Sequence, residues 1–282
     1  MTTAELAPLP LLSYTPSRDE IEALQKLGRL MGPGELRAAV LALIAKPGSS
    51  REKQAWREET AHVTNAVAVR AEVRKLSRAT RAPALDRALR AFAQAPAPER
   101  KKLLASARRV MSGDGQVRPL DRLRWLTMHH LLGEELAREN QAENRGPSAN
   151  AVSKLVDVQR SDIATFTAFL ARLVPMVDPG AAVGSAGARW YQIVLERWWE
   201  PGTFPACQVP DPDTLARALW GVQELSWMLH PVLIRTWVDE AVRTSDPRVL
   251  RDEAAEALRL TCSLLNTPMP PVLAKSFVEC PE

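Results

Sequence analysis

The sequence predicts an all-α protein: two related helical bundles in succession, each carrying a similar helical hairpin. Apolar residues recur at helical spacing along most of the 282 residues. No segment alternates apolar and polar residues at period two, and proline and glycine clusters cut the chain into helix-length pieces. This punctuation leaves room for about nine to twelve helices.

Residues 1–16 hold three prolines and read as an extended leader. Ile21, Leu24, Leu27 and Met31 mark a first helix, ended by Gly32-Pro33-Gly34, and Leu36, Val40, Leu43 and Ile44 mark a second. After the turn at Lys46-Pro47-Gly48, one stripe of Trp56, Thr60, Val63, Val67 and Arg70 predicts a long polar helix running to Arg81, stopped by Pro83. Leu85, Leu89 and Phe92 form the next element, closed by Pro96-Ala97-Pro98. Leu103, Leu104, Ala107, Val110 and Met111 form another, with Arg100, Lys101, Arg108 and Arg109 on its opposite side. The turn Ser112-Gly113-Asp114-Gly115 leads into a helix through Leu120, Leu123, Leu126 and Leu131.

Residues 138–149 are polar and close on Gly146-Pro147-Ser148, the composition of a linker between an N-terminal bundle, 17–137, and a C-terminal bundle, 150–282. The second half opens with Val152, Leu155 and Val156, continues through Ile163, Phe166, Phe169, Leu170 and Leu173, and breaks at the small residues Pro179–Gly187. An aromatic helix with Trp190, Ile193, Val194 and Trp198 follows.

The longest apolar run, Ala38–Ala45, falls far short of the roughly 20 residues a membrane-spanning helix needs. Glu5, Pro8 and Pro10 stand where a secretory signal needs a basic start and an apolar stretch. Cys207, Cys262 and Cys280 are odd in number and form no CxxC pair, which suits a reducing compartment. A cytoplasmic protein is expected, one able to lie at the inner membrane's surface. The net charge of +4 hides an asymmetry, because residues 70–124 carry fifteen Lys or Arg against five Asp or Glu, leaving the remainder at −6.

A shift of 132 residues carries Asp114, Val117 and Asp121 onto Asp246, Val249 and Glu253. The same shift carries Val110, Leu126 and Leu132 onto Val242, Leu258 and Leu264. This pattern of apolar helix, Asp-x-x-Val turn, acid and apolar helix resembles the core hairpin of tellurite-resistance TerB-like domains, whose turn reads Asp-Gly-x-Val. Asp114-Gly115-Gln116-Val117 keeps that turn, whereas the second copy has Pro247 in the glycine's place. In element order most of the chain also resembles the helical region that follows the catalytic domain in bacterial membrane-bound M48-type zinc peptidases. Val40–Ile44, the Asp114 hairpin, Leu215–Leu229 with Pro231, and Leu258–Leu273 carry that likeness. The His-Glu-x-x-His of those peptidases is absent, so the resemblance implies an accessory or regulatory role rather than proteolysis.

The TerB resemblance nominates Asp114, Asp121, Asp246 and Glu253 as ligands for a divalent cation. Two carboxylates per hairpin fall short of a calcium shell; the competing reading is that each Asp shapes its turn while Asp121 or Glu253 faces a helix's positive end. His130 and Glu134 share a helical face, but His129 points about 100° away, and His62 or His230 could join only through the fold. A simple histidine pair is the plainer reading.

No Gly-x-Ser-x-Gly elbow, Cys-His signature or phosphate-binding loop is present, and no strand precedes the glycines of Gly180–Gly187, so no enzyme or cofactor is expected. Two surfaces remain for a protein partner. The basic face with Arg100, Lys101, Arg108 and Arg109 suits an acidic protein or an anionic membrane surface, or is merely solvated; it lacks the interleaved aromatics that would favour nucleic acid. Six of the eight tryptophans lie between Trp190 and Trp237, and the loop with Trp198, Trp199 and Phe204 either anchors an interface or folds back as a lid.

The function expected is that of a non-enzymatic interaction or regulatory module, beside a membrane peptidase or in an envelope-stress system. The alternatives are a TerB-like metal sensor and a defence or immunity protein that acts by binding its partner.

Overall fold

A computed structural model describes residues 14–133, 151–176, 182–245 and 250–279, and among these every regular element is helical. The first half contains α1 (Arg18–Gly28), α2 (Pro33–Ile44), α3 (Ser50–Glu59), α4 (Ala66–Val73), α5 (Arg78–Phe92), α6 (Ala97–Met111) and α7 (Pro119–Leu132). A short 3-10 turn, Val152–Lys154, precedes α8 (Asp157–Leu170), α9 (Ser185–Glu196), α10 (Pro212–Gln223), α11 (Leu229–Thr244), α12 (Asp252–Leu264) and α13 (Pro271–Ala274). The sequence-predicted linker 138–149 and most of the leader lie outside the described residues. No described helix is long and apolar enough to cross a membrane.

Every residue of α2 from Leu36 to Ile44 is buried. A helix that is apolar nearly all round has no solvent face to offer, so neighbours must enclose it; α3, α4, α5 and α6 do so. Its last carbonyls find partners in arginines from other helices. Arg81 of α5 donates to the carbonyls of Ala42, Leu43 and Ala45 at 2.7, 2.8 and 2.7 Å, and Arg124 of α7 reaches the Ile44 carbonyl at 3.4 Å. Burial holds the Arg81 pKa down to about 10.

The single long helix predicted from Trp56 to Arg81 is in fact three segments. Thr60 turns its hydroxyl back onto the Trp56 carbonyl at 2.8 Å and ends α3, α4 is short, and α5 starts only at Arg78. Pro83 does not stop α5 but lies inside it. Proline leaves the carbonyl four residues earlier without its helical N–H; here the amide of Val278 donates to that carbonyl, on Ala79, at 3.2 Å. The predicted break Pro179–Gly187 also ends earlier than expected, since α9 begins at Ser185. A Cβ on Gly187 would lie 1.8 Å from the Ala171 carbonyl, so this glycine permits a close helix approach.

Two apolar cores result, and α7 serves both: Met128 and Leu132 enter the first, Leu123 the second. The halves meet where α12 packs on α7 and α5. At the centre of that contact Arg124 pairs with Glu256 at 2.6 Å, both side chains almost wholly buried. Arg78 reaches Glu253 at 3.0 Å, and the Gln223 amide donates to the Leu264 carbonyl at 2.8 Å.

Over the first core, α1 is tied to α5 by Glu20, which is 4% exposed. Its carboxylate accepts from the Tyr14 hydroxyl and the Ser17 amide at 2.6 and 3.0 Å. It also accepts from the Ser77 amide and the Thr80 hydroxyl, at 2.9 and 3.0 Å. Burial pushes its pKa up, yet these hydrogen bonds outweigh it and hold the group at about 2. Glu20 thus caps α5, whose own N-cap Ser77 makes no side-chain cap.

Candidate docking groove

The residues nominated by sequence are largely engaged within the fold. Asp114 accepts from the Arg118 guanidinium at 2.7 Å and from the Gln116 amide at 3.0 Å, shaping a turn in which Gly115 takes φ +80. Asp121 caps the Arg118 amide at 3.3 Å and pairs with Arg124 at 3.4 Å, while burial raises its pKa. Glu253 holds Arg78, and Asp246 lies outside the described residues. No group of three or more His, Cys, Asp or Glu side chains is placed to share an ion among the described residues. His130 meets the Gln223 side chain at 3.2 Å, His129 packs on Trp125, and Glu134 lies outside the described residues.

Part of the basic stretch is spent on internal pairs. Arg109 binds Glu59, which also takes the buried Arg37, and the Arg109 bond holds the Glu59 pKa at about 2. Lys101 and Arg108 face solvent on α6, whereas Arg100 is half-buried. The aromatic loop folds back onto the second core. Trp199 is 6% exposed, Trp198 meets it edge-on at 5.7 Å, Phe204 meets Tyr191 edge-on at 6.1 Å, and Arg160 stacks on Trp199 at 5.1 Å. Burial lifts the thiols of Cys207 and Cys262 to about 11 and about 12, which leaves both unreactive at neutral pH.

The open feature lies elsewhere, between α8 and α10. On α8, Ile163, Phe166, Phe169 and Leu170 face the core, leaving Val158, Ser161, Asp162 and Thr165 on the outer side. On α10, whose N-cap Asp211 accepts from the Asp213 and Thr214 amides at 3.0 Å, the buried stripe is Leu215, Ala218, Leu219 and Val222. Arg217, Trp220, Gly221 and Glu224 face outward. The two outer sides enclose a groove of about 430 Å³, within the size range of ligand and anchor pockets.

Gly221 sets the groove's depth. A Cβ there would fall 1.9 Å from an Asp162 carboxylate oxygen, so the carboxylate rests against bare backbone. Among the described residues no hydrogen bond contributes to the state of Asp162, and its oxygens remain open to solvent. Burial, and then the Glu224 charge, push its pKa up to about 6, with Arg217 opposing. Trp220 is 50% exposed, Val158 71% and Trp227, just past α10, 77%. Sequence reading missed this site because its residue types are ordinary. One signal was available: Trp220 stands off the Leu215–Val222 stripe, where a core tryptophan would not.

A folded-state pKa raised from 3.8 to about 6 means that Asp162 weakens the fold as pH rises through that interval. The group is only half-buried, so solvent screening reduces the effect. Asp162→Asn is therefore expected to stabilise the chain by about 1 kcal/mol at pH 7.5 and by nearly nothing at pH 4. Thermal melts at the two pH values check this, and equal gains at both would contradict it.

Comparison with family models, with curated proteins and with solved structures finds no match to this chain.

Proposed function

We propose that the chain is a non-enzymatic protein-interaction or regulatory module that holds its partner in the groove between α8 and α10. The observation that carries this reading is Trp220, half-exposed at the edge of a recess whose half-buried carboxylate, Asp162, lacks a donor. Tryptophans in such positions are the side chains that most often anchor protein interfaces, and a half-exposed carboxylate with no hydrogen-bond partner among the described residues can meet a partner's cation. The TerB-like alternative would bind a cation at Asp114 and Asp121, but arginines occupy both carboxylates, which favours the interaction reading. The loop of Trp198, Trp199 and Phe204 is a weaker surface for the same role, because its largest ring is already buried.

The test is photo-crosslinking. A benzophenone side chain placed at Val158 or Trp220 is expected to give a discrete adduct with one protein in the native cell. The same group at the exposed Met31 or Val67 is expected to give none. Identical adducts from all four positions, or none from the groove, would remove the proposal.

A further inference from the structure

We infer that the groove between α8 and α10 is the seat of an amphipathic α-helix from a partner protein, with a basic residue at its middle, much as the leucines of the α1 segment close a cavity lined by α2 and α5. This inference rests on the interaction reading above and names the partner's chemistry.

The first half contains a comparable groove, largely filled. Leu24, Leu27 and Leu30 of the α1 segment lie over α2 and α5, leaving a cavity of only about 30 Å³. Its walls are Leu36, Ala39 and Leu43 of α2 with Ala84, Arg87, Ala88 and Ala91 of α5. One constant shift along the chain carries Leu36, Ala39 and Leu43 onto Val158, Ser161 and Thr165, the outer residues of α8. A second carries Ala84, Arg87, Ala88 and Ala91 onto Arg217, Trp220, Gly221 and Glu224, the outer residues of α10. α2 with α5, and α8 with α10, are the most extensively packed helix pair of each half. A helix covers the first groove; among the described residues only α8 and α10 line the second.

The two grooves differ in chemistry, and the difference indicates what the second receives. The walls of the first groove are mostly leucine and alanine beside Arg87; their counterparts in the second include the polar Ser161, Thr165 and Glu224, which tolerate water, as a site that opens and closes must. Asp162 stands where α2 has the buried Val40. Asp162 and Glu224 outweigh Arg217, so the recess is acidic and complements a lysine or arginine. Trp220 adds an aromatic face for the aliphatic or cationic part of that side chain. A helix with leucines at i and i+3 or i+4 around one basic residue meets all these conditions.

The probes are a model amphipathic helix of leucine and lysine, of the length of α1, and its leucine and glutamate analogue. Each is titrated into the full chain while backbone amide resonances are followed. The leucine-lysine helix is expected to bind at micromolar concentration and shift amides around Asp162 and Gly221. Trp220→Ala should weaken it at least about tenfold, with resonances away from α8 and α10 unmoved as the check on folding. Asp162→Asn with Glu224→Gln should abolish the preference over the glutamate analogue.

Equal binding of both helices, or shifts mapping elsewhere, would overturn the inference. So would concentration-dependent shifts of α8 and α10 in the chain alone, which would make a second copy the occupant. Crosslinked adducts at position 220 without any response to the helices would reject the helical partner yet leave the interaction reading standing.

Discussion

Arg124→Met is expected to lower stability by about 3–5 kcal/mol, seen as a fall of roughly 5–15 °C in the melting temperature. The guanidinium is buried between the halves, where burial opposes its charge but Glu256 and Asp121 outweigh it and raise its pKa. Removing it leaves Glu256, whose side chain is 10% exposed, without its counter-charge, and an uncompensated buried charge costs far more than a lost surface pair. Arg124→Met combined with Glu256→Met should recover most of the loss, because hydrophobic replacement of both partners of a buried pair is often near neutral. A double-mutant cycle measured by denaturant unfolding checks it, and additive losses would show that the pair does not act as a unit.

Arg81→Met should cost about 3 kcal/mol or more. One side chain satisfies three carbonyls at the end of α2, and that end is enclosed, so water cannot replace the lost donors. Arg90→Met on the same helix serves as the control. Its pair with Asp86 is largely exposed and should be worth under about 1 kcal/mol. Equal losses from the two substitutions would mean that the α2 terminus is hydrated.

The helical class was legible because periodic burial is a local property: Leu36, Val40, Leu43 and Ile44 in α2, or Ile163, Phe166 and Phe169 in α8, state their own geometry. Errors arose where a distant residue decides. Pro83 signals a stop unless something replaces the missing N–H at Ala79, and Val278, near the far end of the chain, does so. Within the basic segment Lys101, Arg108 and Arg109 do lie on an exposed side, but nothing local shows that Arg81 caps α2 or that Arg124 meets an acid 132 residues away. Trp199 sits in a loop-like sequence yet is buried, since a loop between α9 and α10 must pass over the second core. The groove was the least legible part. Asp162 and Gly221 gain meaning only when two helices bring a carboxylate against a glycine, and no spacing rule within either helix encodes that meeting.

The most direct test is hydrogen exchange of the chain alone and bound to the partner that the Trp220 crosslink identifies. Slowed exchange confined to residues 157–165 and 214–224 is the expected result. Protection concentrated instead on α6, around Arg108 and Arg109, or on the loop from Trp198 to Phe204, would contradict the assignment of the groove as the binding surface.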